Sequence, residues 1–428
     1  MTVTEQLSAL GNILAHGDLS SLFQPIVSLS EQRILGYEAL TRGPSNSPLH
    51  SPINLFAVAR QAGRLTDLEV AYNFTKALNL AVGAVAGLLL GMGLMQLART
   101  TPGSSRAVVF NRVFVALGLA VWIQGADYLW AWLVLGEPSF NSTGVFNGKV
   151  QVSYLANLFL SLCMAEAFSR VCGGGRYVAV SSPLLAAWAL CAVAVTFFSG
   201  ARNGLIGVVL LCVSTGLLML YYAPSRIRPW QRLGGFALLL CVAAGLAGAQ
   251  LKTDTRWARF IESTSYSFQT DTVLSWLDPK RYPYPILSDG QPLDDSAYER
   301  TAWIIVGMKL SAEHKLGVGF TRKAYTNTVM DKYGVLVRHS HSGLVEYTLG
   351  MGWPGIALWA AFLLTVFSQG LRRLLRKHDT LALASMFLVS GFAGRMIIEN
   401  VTRDHMMEMF MFLIGLMLAA LVRPAQAR

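Results

Sequence analysis

The sequence predicts an all-α polytopic membrane protein: about nine transmembrane helices, one large loop between them, and a short α/β segment in front. Three observations predict it. Of 428 residues, 53% are hydrophobic and only 14% are charged, against about 25% charged in soluble globular chains. Mean hydropathy is +0.45. Apolar runs of about twenty residues recur from residue 77 onward, the length at which a helix crosses the hydrocarbon core with its backbone polar groups satisfied internally. Charge is sorted unevenly between the loops that join these runs.

The runs fall at 77–98, 113–135, 151–169, 178–199, 203–222, 233–250, 343–368, 380–398 and 405–422. Residues 1–70 and the long loop at 251–342 read as soluble, and 71–428 form the membrane unit. One set of short loops, with the C-terminal tail, holds fourteen Lys and Arg: Arg99, Arg106, Arg112, Arg170, Arg176, Arg226, Arg228, Arg232, Arg372, Arg373, Arg376, Lys377, Arg423 and Arg428. The opposite set holds Lys149, Arg202 and Arg403. Basic loops stay in the cytoplasm, so the 251–342 loop is expected to be periplasmic. An odd number of spans then puts the N-terminal segment on the same outer side. The net charge of +11 is accounted for by these loops, and no nucleic-acid partner is expected.

Cys163, Cys172, Cys191, Cys212 and Cys241 lie in or beside apolar runs with no metal-ligand spacing, so they are expected to be buried thiols. A cysteine-free outer loop fits an oxidising compartment. The first 30 residues lack a basic start followed by an apolar core, and no secretory signal is expected. No nucleotide loop, zinc motif or Ser nucleophile elbow is present, so neither metal nor cofactor is expected.

Residues 21–69 contain FQPIVSL, then GYEALTR, then LFAVARQAGRLTDLE. These pieces resemble the start of an EAL-type cyclic-di-GMP phosphodiesterase domain. The resemblance implies a metal ligand at Glu38 and nucleotide contacts at Gln24 and Arg42. It stops after Glu69. A (β/α)₈ barrel needs at least about 200 residues, so residues 1–70 are expected to be a truncated fragment without phosphodiesterase activity, from a fusion or a gene-model artefact.

Three stretches of the membrane part carry a second resemblance: FFSGARNGLIGVVLL at 197–211, YERTAWIIVGMKLSAEHKLGVGF at 298–320 and RHSHSGLVEYTLGMGWPGIALW at 338–359. Together, with a large outer loop followed by three spans, they resemble the O-antigen ligase and polymerase superfamily over about 75–428. The resemblance implies a glycosyltransferase of the bacterial inner membrane, with its active face in the periplasm and no metal or cofactor. The donor would be a polysaccharide on undecaprenyl pyrophosphate, and the acceptor a sugar hydroxyl of lipid A-core. Family members usually have about twelve spans, so about three N-terminal helices are expected to be missing.

Arg202 and Arg300 match the family's pyrophosphate-binding positions. An arginine fork suits paired phosphate oxygens. The rival readings are an interfacial anchor for Arg202 and a surface pair with Glu299 or Asp295 for Arg300. His341 matches the family's catalytic histidine, a natural base near neutral pH. His339, two residues away, would face elsewhere in a helix and ranks second. Arg395, Glu399, Arg403, Asp404, His405 and Glu408 gather at the same outer face; Arg395, Arg403 and His405 join His339 as supporting candidates. His314 is expected at the surface, and Asp127 and Glu166 in hydrogen-bonded packing. The aromatics and carboxylates of 281–296 suit either a sugar contact or a turn-rich surface. The other functions left open are a protein O-oligosaccharyltransferase, an O-antigen polymerase and an inactive truncated remnant.

Overall fold

A computed structural model describes residues 3–16, 19–28, 33–64, 83–98, 100, 106–136, 148–172, 176–223, 227–253, 257, 259–319, 324–337, 339–402 and 405–421. Arg403 and Asp404 lie outside the described residues.

The chain starts with helix α1 (Val3–His16), an antiparallel hairpin of β1 (Ser20–Ser28) and β2 (Arg33–Arg42), and helix α2 (Pro52–Gln61). The hairpin register sets Gln24 opposite Glu38. Leu10, Ile13, Leu49, Leu55, Val58 and Ala59 form a small core of this segment's own.

The membrane part is built from α3 (Gly83–Ala98), α4 (Arg106–Val134), α5 (Lys149–Cys172), α6 (Ser182–Phe198), α7 (Arg202–Tyr222), α8 (Pro229–Thr253), α12 (Gly343–Lys377), α13 (Ala382–Ile398) and α14 (Met406–Leu421). Five of these, α4, α5, α7, α8 and α12, are long and apolar enough to cross a membrane; α3, α6, α13 and α14 are apolar but have 17 residues or fewer. The protein is a multi-pass membrane protein. Among the described residues, four of the nine runs read from hydropathy form helices of 17 residues or fewer.

Helix α5 is the axis of the bundle. It packs on α4, α6, α7 and α13, and 61% of its most apolar window is buried, against 11% for α8. Its polar residues are used inside the bundle. Asn157 Nδ2 donates to Gly204 O on α7 (2.8 Å), and Thr196 Oγ1 on α6 donates to Asn157 Oδ1 (3.1 Å). Such interhelical hydrogen bonds hold helices together where lipid supplies no hydrophobic drive. Glu166 pairs with Arg170 at 2.7 Å and accepts from the Tyr177 N–H at 3.0 Å, in keeping with a packing role. Small residues bring α3 onto α14: a Cβ on Gly91 would meet Phe412 O at 2.1 Å, and one on Gly415 would meet Leu88 O at 2.2 Å.

Among the cysteines, Cys163 and Cys212 are buried, but Cys241 on α8 is exposed. That departs from the expectation of buried thiols, because α8 sits at the edge of the bundle.

The long loop folds into a unit of its own. Helices α9 (Phe260–Tyr266), α10 (Asp295–Glu313) and α11 (Ala324–Tyr333) enclose a core of Trp276, Tyr298, Val306, Tyr325 and Val329 that continues onto Val345 and Leu349 of α12. Residues 281–296 contribute Leu287 and Leu293 to that core. The loop is thus welded to the first turns of α12.

Helix α12 breaks at Gly352, where φ is 70° and ψ 178°. Pro354 has no N–H to give Gly350 O, and the Gly319 N–H takes that carbonyl instead at 3.1 Å. The Val318 N–H takes Leu349 O at 2.8 Å, and the Trp353 N–H reaches back to Lys315 O at 2.9 Å. A Cβ on Gly352 would lie 2.4 Å from Leu316 C. Only glycine fits there, which gives one glycine of the GMGWPG stretch its physical reason.

Candidate functional site

The site lies at the end of the bundle that carries the loop. Arg202 is the first residue of α7, following the tight turn at Gly200 (φ 63°). Its Nη2 donates to Asp294 Oδ2 at 3.0 Å, in a pair whose side chains are 16% and 4% exposed. Its guanidinium lies 5.3 Å from the Trp257 ring centroid and 5.9 Å from that of Phe260, within cation–π range. Asp294 also caps α10, accepting from the Ala297 N–H at 3.3 Å.

Arg300 stands on α10, half-buried, and lines one cavity of about 160 Å³ with Arg202, Lys149 and Trp257. The pairing with Glu299 weighed from the sequence is not formed: the Glu299 carboxylate accepts from Tyr284 OH at 2.5 Å. Burial raises the Glu299 carboxyl above its ordinary range, and the Tyr284 hydrogen bond opposes that rise. Trp257 Nε1 is buried without a hydrogen-bond partner among the described residues. The cavity therefore gathers three cations, with the Trp257 side chain in its wall.

Trp303 sits one turn beyond Arg300 on α10, a spacing that puts both on one helix face. Its ring stacks on His341 at 5.5 Å between centroids and 9° between planes. Trp303 Nε1 donates to Trp276 O at 3.0 Å, which fixes the indole in the loop core. His341 is not helical: its φ is 55°, in the left-handed region that a non-glycine residue enters at a cost of about 1–3 kcal/mol. The surroundings enforce it. Ser342 caps α12 through the Val345 N–H at 3.3 Å, and Ser340 Oγ donates to the buried Glu346 carboxylate at 3.0 Å.

Since 339–341 is not a helix, His339 does not turn away; its ring centroid is 3.9 Å from that of His341. The two imidazoles form a pair.

Arg395 is 6% exposed on the last turn of α13. Its Nη2 donates to Val150 O (2.9 Å) and Ser153 Oγ (2.6 Å), and its guanidinium lies 5.2 Å from the Tyr154 centroid. Glu399 accepts from Asn203 Nδ2 at 2.9 Å. His405 is exposed at the start of α14, with Nδ1 3.6 Å from Glu408 Oε1, and does not line the cavity of Arg202 and Arg300. His314 is exposed at the C-cap of α10. Among the described residues no three His, Cys, Asp or Glu side chains gather as a metal site would require.

Sequence reasoning missed Lys149, Asp294, Trp257 and Trp303 as members of the site. Lys149 had a signal, as one of only three cations in the sparse set of loops. The others had none, because their relation to Arg202 or His341 exists only through folding.

Residues 187–360 match the family model described as O-antigen ligase. The match runs from α6 to the middle of α12 and includes Arg202, Arg300, His339 and His341; Lys149 and Arg395 fall outside it. It supports a glycan-transferring enzyme of the ligase and polymerase superfamily. No curated protein matches the chain.

Proposed function

We propose that the chain transfers a glycan from undecaprenyl pyrophosphate to a sugar hydroxyl of lipid A-core, at the periplasmic face of the bacterial inner membrane. The observation that carries this reading is the single cavity lined by Arg202, Arg300 and Lys149, with Trp303 and the stacked His341 one turn along α10. Three cations in a half-buried space suit a pyrophosphate, which gains negative charge as its bond to the glycan breaks. The donor is the lipid-linked polysaccharide and the partner surface is membrane lipid.

In the reaction, the bond between the glycan's anomeric carbon and the phosphate oxygen breaks. A bond from that carbon to the acceptor oxygen forms. His341 takes the proton of the acceptor hydroxyl, and the electron pair of the broken bond leaves with the lipid pyrophosphate. Arg202 and Arg300 bind its oxygens as the charge grows. His341 is held in its strained backbone conformation with Trp303 against its face, so it does not have to be ordered at each turnover. His339, beside it, is placed to pass the proton on.

The test is transfer in vitro from undecaprenyl-pyrophosphate-linked glycan to lipid A-core, read on a gel. Arg202→Ala and Arg300→Ala should each lower the rate about a hundredfold, the loss of about 3 kcal/mol typical of one preorganised charge contact. His341→Ala should lower it by roughly 10²–10⁴. Lysine at 202 or 300 should restore only part, lacking the fork. Near-normal transfer by His341→Ala would overturn the base assignment, and loss with His339→Ala alone would move that role to His339.

A further inference from the structure

The chain enters α12 through a turn, and the turn carries both imidazoles. Ser340, between His339 and His341, is fully buried, while each histidine is half-buried. Glu346, a carboxylate 1% exposed in the first turn of α12, holds this turn. Its Oε1 accepts from the Ser340 N–H at 3.2 Å and from the Ser340 hydroxyl at 3.0 Å. Its Oε2 accepts from the N–H of Tyr325, the second residue of α11, at 3.5 Å. Ser340 Oγ in turn accepts from the N–H of Ser342, the cap of α12, at 3.2 Å.

Burying a carboxylate is costly unless its oxygens are paired with donors. A helix N-terminus offers N–H groups without an intrahelical acceptor and favours negative charge, and the start of α11 supplies both. Helix α10 meets the same region at two residues one turn apart. Trp303 stacks on His341, and a Cβ on Gly307 would lie 2.2 Å from Val345 Cγ1 and 3.2 Å from Tyr325 Cε2. Glycine lets α10 come this close. His341 thus has its ring backed by α10 and its backbone tied to α12 through Glu346 and Ser342.

We propose that Glu346 is a positioning residue for glycan transfer. By accepting from both the N–H and the hydroxyl of Ser340, it fixes the segment that presents His339 and His341. The inference rests on the reading of His341 as the base. Glu346 is closed off by its burial, so it acts through the turn and not on the substrate. A reacting group must be held within about 0.5 Å and 10–20° of its working geometry, and a misplacement of about 1 Å costs about a hundredfold in rate. The φ of 55° at His341 is a conformation that the surroundings must enforce, and Glu346 and Ser342 are the ties on either side of it.

The experiment uses the full chain in detergent, with three readouts: transfer kinetics, calorimetry of inorganic pyrophosphate, and diethyl pyrocarbonate modification of individual histidines followed by mass spectrometry. Glu346→Ala should lower kcat by about 10- to 100-fold and leave the donor KM and inorganic pyrophosphate binding unchanged. It should also speed modification of His339 and His341 several-fold, with the exposed His314 unchanged. Glu346→Gln keeps an acceptor oxygen for Ser340 and should restore most of the rate. Ser340→Ala should lower kcat several-fold in the parent and add nothing to Glu346→Ala, because both act on one contact. Parallel loss of kcat and of pyrophosphate binding in Glu346→Ala would make Glu346 a general support of the loop and overturn the proposal. Glu346→Gln as slow as Glu346→Ala would overturn it too. Should Glu346→Ala fail to fold, Ser340→Ala decides: unchanged kcat and unchanged histidine modification sink the proposal. The two readings fail separately. Faster modification of His339 and His341 in Glu346→Ala, together with full transfer by His341→Ala, keeps the Glu346 tie and removes the base. Unchanged modification and kcat in Glu346→Ala, with transfer lost in His341→Ala, does the reverse.

Discussion

His341 and Arg202 each carry a constraint: a strained backbone in the first, a carboxylate partner in the second. His341 holds φ 55°, and glycine adopts that conformation without strain. His341→Gly should therefore be as inactive as His341→Ala, yet melt at the same temperature or higher; a melting point well below the parent's would show that the imidazole is a structural tie to Trp303. Arg202 is partly occupied by Asp294 at 3.0 Å. Asparagine caps helices as well as aspartate, so Asp294→Asn should keep α10 in place while removing the counter-charge. Inorganic pyrophosphate should then bind several-fold more tightly by calorimetry; weaker binding would mean that Asp294 positions Arg202 rather than competing for it.

The decisive element is α12. Its break at Gly352 frees Leu349 O and Gly350 O for the backbone N–H groups of Val318 and Gly319, and its first turns carry Val345 and Leu349 into the loop core. One helix thus positions His341 at its cap and anchors the loop that presents Arg300 and Trp303. Gly352→Ala forces a Cβ to within 2.4 Å of Leu316 C and 2.6 Å of Lys315 O, on top of a backbone conformation, φ 70° and ψ 178°, that is essentially restricted to glycine and costs about 1–3 kcal/mol. The expected outcome is loss of the monodisperse peak in size-exclusion chromatography and of transfer activity together. Gly350→Ala, at a position with ordinary helical φ, should be much milder. Equal behaviour of the two would refute the account of the kink.

For the whole molecule, the distribution of charge between its two ends bears on sidedness. The loop, Arg202, His341 and Arg395 share one end of the bundle, while Tyr222, Leu374 and His378 meet at the other. The fourteen basic residues read from sequence fall in the loops and tail assigned to that other end, which the positive-inside rule assigns to the cytoplasm. A cysteine at Ser288, exposed in the loop, should react with a membrane-impermeant maleimide in cells whose outer membrane has been permeabilised. A cysteine at Arg376, also exposed, should react only after lysis. Leu374, two residues before it, is fully buried and would stay silent on either side. The reverse labelling pattern would invert the topology and remove the periplasmic site.

Hydropathy alone determined that the chain is a helical membrane protein with a soluble loop before its last three apolar runs, because twenty consecutive apolar side chains are a local property with one stable solution in lipid. The candidate arginines and His341 were also legible, from short stretches such as GARNG and RHSHSG. What the sequence did not contain was their company. Asp294 lies 92 residues from Arg202, and Trp303 lies 38 residues before His341. The orientation of His339 turned on whether its segment is helical, which its sequence leaves open; the cap of α12 begins only at Ser342. Arg395 belongs by sequence to a charged cluster with His405, and folding buries Arg395 while His405 stays exposed. Pairings over such separations depend on how ridges, small residues and interhelical hydrogen bonds bring distant turns together, and only the tertiary structure decides that.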